Sequence, residues 1–128
     1  MDIPSNLKYT KSHEWVSVEG DIAAVGITDY AQDQLSDLVY VEYLVDEGDT
    51  IENEMGATME SVKAAADVLV PLTGSVTAVN EELLDAPELL NKQPYEAWMI
   101  KVKMDDPGEL DALMDAATYT KYCEEQAH

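Results

Sequence analysis

Arginine and phenylalanine are absent from these 128 residues, and cysteine occurs once, as Cys123. Without arginine, the positive charge is seven lysines set against 27 acidic residues, a net charge of −20 at pH 7. A chain of that sign repels phosphate backbones and anionic lipid, so nucleic acid and membrane surfaces are poor partners and basic protein surfaces are better ones. A single cysteine rules out an internal disulfide framework and fits a reducing compartment. It also rules out a zinc cluster at standard spacing, since the only histidines, His13 and His128, lie far apart. The setting Tyr122-Cys123-Glu124-Glu125 disfavours a thiolate and argues against a nucleophile. No apolar run approaches the length of a membrane span, and Met1-Asp2-Ile3-Pro4 lacks a basic or apolar targeting segment. The expectation is a cytoplasmic protein, or one of the mitochondrial matrix if eukaryotic.

The familiar catalytic patterns are missing as well. The acidic residues do not follow the calcium-loop pattern, and no glycine-rich phosphate loop precedes a helix. Ser12-His13-Glu14 does not make a hydrolytic triad, because neighbours on an extended strand point to opposite faces. No catalytic residue and no metal site is predicted.

What is present is one domain's worth of chain, 1–128, with hydrophobic residues at a globular 46%. Glu14–Glu19 and Ile22–Ile27 read as strands around a Gly20-Asp21 turn. Thr28 can cap a short helix with Ala31, Leu35 and Leu38 on its apolar face. Leu38–Val45 reads as a strand, followed by a turn at Asp46–Asp49. Met55–Glu60 and Ala64–Val70 read as strands flanking Ser61-Val62-Lys63, Pro71–Gly74 as a tight turn, and Ser75–Val79 as a further strand. Glu81–Asn91 predicts short helical turns broken by Pro87, and Trp98–Met104 one more strand. Asp106-Pro107-Gly108 opens a helix, and Ala116–Gln126 forms another. Short strands with peripheral helices and no βαβ alternation predict a mainly β fold, a small barrel or sandwich with helical additions.

One residue stands out against this background. Lys63 is the only lysine between Lys11 and Lys92, and it sits where two strands should reverse, followed by the small Ala64, Ala65 and Ala66. A lysine presented in this way is open to a modifying enzyme, although most lysines at such turns are merely solvated.

Glu60-Ser61-Val62-Lys63-Ala64 resembles the lipoylation motif of the glycine cleavage system H-protein family, and Asp67, Pro71, Gly74-Ser75-Val76 and Val79-Asn80 fit the same family. Leu7 to Val16, Val25 to Gln32, Leu83 to Asn91 and Pro94 to Val102 also resemble it, in the right order, so the likeness covers roughly residues 3 to 122. The chain departs from the family pattern at Tyr30, where histidine is usual, and at Ser36, where glycine is common. Tyr95 to Trp98 is one residue shorter than the common form. Biotin carriers flank their lysine with methionines, and lipoyl domains of the 2-oxo acid dehydrogenases show Asp-Lys-Ala without the His13-Glu14-Trp15 opening.

The resemblance implies a barrel-sandwich hybrid with short helices at its periphery and C-terminus, and lipoate covalently attached to Lys63. It implies a monomeric carrier rather than an enzyme. Its partners would be a pyridoxal-phosphate glycine decarboxylase, an aminomethyltransferase, a dihydrolipoyl dehydrogenase, and the lipoate ligase or lipoyltransferase that modifies the lysine. The arm would shuttle an aminomethyl group from the decarboxylase to the transferase and then visit the dehydrogenase. The alternative is a relay protein of the same fold that donates lipoate to other carriers. Ser12 and Glu14, placed on one side of the first strand, and Asp67, four residues beyond Lys63, are the expected arm-holding cleft.

Overall fold

The computed structural model describes residues 2–126. Met1 and His128, the latter set aside above as a metal ligand, lie outside them. Seven strands form one antiparallel sheet: β1 (Lys8–Tyr9), β2 (Glu14–Glu19), β3 (Ile22–Ile27), β4 (Leu38–Tyr43), β5 (Thr50–Ser61), β6 (Ala65–Val79) and β7 (Ile100–Met104). Their order in space is β1-β2-β3-β7-β6-β5-β4, so the sheet is open rather than closed into a barrel. It nevertheless folds over on itself. Val16 and Val25 from one end share a single buried core with Val41, Met59 and Val70 from the other. That sandwiching of one sheet's two ends is the mainly β architecture expected, with the closure left incomplete.

The helices lie at the edges, as the pattern predicts. Helix α1 (Asp29–Leu35) begins at Thr28, whose hydroxyl accepts the amide of Ala31 at 3.1 Å. It stops before Leu38, which belongs to β4 rather than to the helix face, because Ser36 turns the chain with φ at +65°. A glycine would adopt that conformation without strain, which accounts for glycine being common at this position in the family that the sequence resembles. Helices α2 (Glu82–Asp85) and α3 (Leu89–Lys92) flank Pro87, and α4 (Ala116–Gln126) closes the described chain. The helix opened by Asp106 is a 3-10 helix over Pro107–Ala112, capped by Asp106 accepting from the Gly108 amide at 3.0 Å.

Two further sequence expectations need correction, and one strand is unanticipated. Pro71–Gly74 is no turn: β6 runs unbroken through it. Proline is tolerated because it faces a bulge, where pairing skips from Glu52↔Thr73 to Glu54↔Val70 and Asn53 takes φ of +50°. Gly74 serves a close approach instead of a turn, since a Cβ there would lie 2.0 Å from the carbonyl oxygen of Lys103 on β7. The last strand starts at Ile100, two residues after Trp98, whose amide is drawn into a local turn on the Glu96 carbonyl. Finally, β1 is too short to show in the sequence pattern; its two residues pair with Trp15 and Val16.

A second, smaller core lies under α4. Tyr9 and Tyr119 stack there with ring centroids 4.6 Å apart, beside Leu7, Trp15 and Cys123. Cys123 is therefore a packed core residue, and burial raises its thiol pKa against the lowering effect of a hydrogen bond with Tyr119.

Candidate functional site

The hairpin of β5 and β6 carries Lys63 at its tip. Ser61 builds the reversal: its hydroxyl oxygen accepts the amides of Lys63 at 3.2 Å and Ala64 at 3.0 Å, and its own amide donates to the Ala64 carbonyl at 2.7 Å. The Val62 amide donates to the Asp37 carbonyl at 3.0 Å, tying the tip to the start of β4. The turn is thus fixed by its backbone and one serine, while Val62, Lys63, Ala64 and Ala65 all face solvent. A rigid tip with an exposed lysine amine and small following residues is open to a modifying active site.

Ser12 and Glu14, together with Asp67 from far along the chain, line one cleft of about 180 Å³. Asp67 enters from the hairpin, opposite Thr58, a few rungs below the lysine. The rest of the lining is mostly apolar, Ile27, Ala31, Leu35, Met59 and Ala66, with His13 and Gln34 among it. Sequence reading missed that lining, because its residues belong to four elements and nothing local marks them.

The three polar residues are not equivalent. Glu14 is 1% exposed. Its Oε1 accepts the hydroxyls of Thr10 and Ser12, each at 2.5 Å, and its Oε2 accepts the Leu69 amide at 3.1 Å. Burial raises the Glu14 pKa, and these donors pull the other way. Ser12 and Asp67 are exposed at the cleft mouth. Ser12 does reach the same side as Glu14, but from a turn rather than from the strand, which begins at Glu14 itself.

That turn spans Lys11-Ser12-His13, closed by the Thr10 amide donating to the Glu14 carbonyl at 3.0 Å and by the His13 amide donating to the Thr10 carbonyl at 3.2 Å. A three-residue hairpin loop of this kind needs a left-handed third residue, and His13 supplies it with φ of +71°. For a residue with a Cβ this costs on the order of 1–2 kcal/mol. The side-chain hydrogen-bond partner of His13 is Tyr119, while Ser12 bonds directly to Glu14, so the three residues are not linked as a triad. Burial lowers the His13 pKa. Among the described residues no group of His, Cys, Asp and Glu is placed to hold a metal ion.

With this geometry, likeness to known proteins is informative. The family model described as "Glycine cleavage H-protein" matches residues 7–126. The chain belongs to the glycine cleavage H-protein family. A relative named glycine cleavage system H protein from Halothermothrix orenii is 48% identical over 126 residues, covering 98% of each chain. Another of that name, from Staphylococcus carnosus, is 50% identical over 120 residues, covering 93% of this chain and 95% of its own. The crystal structure of a glycine cleavage system H protein from Mycobacterium marinum superposes with a TM-score of 0.82 at 31% identity, over 98% of this chain and 100% of that one. An H protein is a lipoyl carrier of the glycine cleavage system and not one of its enzymes, and it works with the enzymes of that system.

Proposed function

We propose that Lys63 bears the lipoyl group as an amide on its side-chain nitrogen. The arm would take an aminomethyl group from the pyridoxal-phosphate glycine decarboxylase to the aminomethyltransferase, and then visit the dihydrolipoyl dehydrogenase. The observation that carries this reading is the presentation of Lys63: an exposed primary amine on a hairpin tip held rigid by Ser61. The residues fit the group. A primary amine is the nucleophile an acylating enzyme requires, and Ala64 and Ala65 leave it uncrowded. The attached group would supply a disulfide–dithiol pair and a reach that no natural side chain has.

The chain's own part is presentation and shelter. Ser12, Glu14 and Asp67 make the cleft that receives the end of the arm. An amine held there gains from carboxylates nearby, because a negative charge favours the ammonium form, which lacks the free lone pair needed to expel a neighbouring thiolate. Asp67 is the exposed carboxylate of the cleft, and Ser12 offers the exposed hydroxyl. Glu14 sits behind them, orienting Ser12.

Intact mass after lipoylation tests the assignment. The native protein should gain one lipoyl increment, whereas Lys63→Arg should gain none, keep its melting temperature and support no glycine-dependent turnover. An increment that persists in Lys63→Arg places the group elsewhere and overturns the reading.

A further inference from the structure

Two parts of the cleft lining are Ser12 and His13 of the turn with Glu14, and helix α1 through Ala31, Gln34 and Leu35. Both are tied to α4, an element that contributes no lining residue. The Tyr119 hydroxyl lies 2.8 Å from His13 Nδ1 and 2.7 Å from the hydroxyl of Thr28, the residue that caps α1. Tyr119 is fully buried and its ring is stacked on Tyr9, so the phenol oxygen is held in place. One turn further along the helix, the Tyr122 hydroxyl donates to the Lys11 carbonyl at 3.1 Å. Tyr30 adds a contact from α1, its ring centroid 4.5 Å from that of His13.

The strained backbone gives this arrangement its meaning. The left-handed third position of the turn would suit glycine better than any other residue. Histidine brings a ring that glycine lacks, and the ring is directed to Tyr119. Turn position and ring anchorage are therefore coupled in a single residue lying between Ser12 and Glu14.

We propose that Tyr119, acting through His13, is a positioning residue that sets the location of Ser12 beside Glu14 and fixes that wall of the cleft against α1. The C-terminal helix is a brace for the cleft rather than a cover for the second core alone. The positioning claim concerns the chain itself. Its consequence for an arm rests on the function proposed above.

Amide hydrogen exchange on the protein with Lys63 unmodified tests the brace without any bound group. Tyr119→Phe keeps the stack on Tyr9 and removes the hydroxyl. His13→Gly keeps the left-handed turn, relieves its strain and removes the ring. Each should speed exchange at the Glu14 and Thr28 amides, and at the amide of the turn's third residue, about five- to tenfold, the worth of one hydrogen bond. His13→Gly should do so without lowering the melting temperature. The double variant should exchange no faster than the faster single one, because both changes open the same link. Thr120→Val, on the same helix but bonded only to its own Ala116 carbonyl, should leave these amides unchanged. Wild-type exchange in both single variants, or additive effects in the double, overturns the brace. The lifetime of an amine carried on the lipoylated arm should fall in Tyr119→Phe. If exchange changes and that lifetime does not, the brace stands and the arm-holding use of the cleft fails.

Discussion

The carboxylate of Glu14 accepts the backbone amide of Leu69 at 3.1 Å, joining β2 to β6 across 55 residues of sequence. This is one of the points at which the open sheet is held folded on itself, and it makes a cleft residue into a structural one. Glu14→Leu should strand the hydroxyls of Thr10 and Ser12 and the Leu69 amide, and destabilise the protein by about 1–3 kcal/mol. Glu14→Gln should lose less. The pH dependence has a definite sign. Burial holds the Glu14 pKa above its unfolded value, so the folded state binds the proton more tightly. The stability this contributes is present at low pH and lost as pH rises from the unfolded toward the folded pKa. Denaturant melts of wild type and Glu14→Gln across the acid range should differ in slope over that window; parallel curves would show that the carboxyl is not the cause.

Gly74 sits where the backbone of β7 approaches β6 closely. A Cβ there would meet the Lys103 carbonyl oxygen at 2.0 Å, and backbone cannot yield as a side-chain tip can. Gly74→Ala should destabilise by about 1–3 kcal/mol or more. Gly20→Ala is the control, because a Cβ at that hairpin turn meets nothing, although φ of +65° retains a modest penalty. Comparable melting temperatures for the two variants would contradict the close-approach role.

Four tyrosines set the alkaline limit. Burial raises the pKa of Tyr9, Tyr43 and Tyr119, and pushes Tyr95 up to about 12. Each is a group whose neutral form the fold prefers. Stability should therefore be intact below the unfolded phenol pKa of about 10 and fall as pH rises above it. Phenolate absorbance should show part of the tyrosine complement titrating only with unfolding. A single smooth titration of all the tyrosines near pH 10 in folded protein would refute it.

A net charge of −20 is opposed by little internal pairing. The salt bridge found among the described residues is Lys103–Asp21 at 4.0 Å, with both side chains largely exposed. Self-repulsion should thus be the dominant electrostatic term, and added sodium chloride should raise the melting temperature by screening it, with a Debye length of about 10 Å at 0.1 M. The same screening should slow association with basic docking surfaces of partner enzymes. Opposite responses of stability and on-rate to salt are the expected signature. Flat responses in both would make the acidity a solubility feature.

Most of the element order follows from local chemistry. Gly20-Asp21 marks a hairpin, Thr28 caps α1, and Pro87 divides α2 from α3, because turns and caps depend on residues next to each other. The lysine at a reversal was also legible, since a strand–turn–strand pattern places Lys63 at a tip without reference to the rest of the fold. Sequence pattern failed at Pro71–Gly74, where residues typical of a turn instead answer a bulge and a neighbouring strand. The cleft shows the same limit. Ser12, Glu14 and Asp67 could be singled out by strand alternation and by distance from Lys63, but only packing could bury Glu14, make Leu69 its partner and line the cavity largely with apolar side chains. The coupling of His13 to Tyr119 spans 106 residues, and no local preference encodes it. The sequence alone determined where the chain turns and which amine stands free, because those depend on near neighbours. Tertiary structure decided which polar groups are removed from water and what satisfies them, because desolvation depends on everything packed around a residue, however distant in the chain.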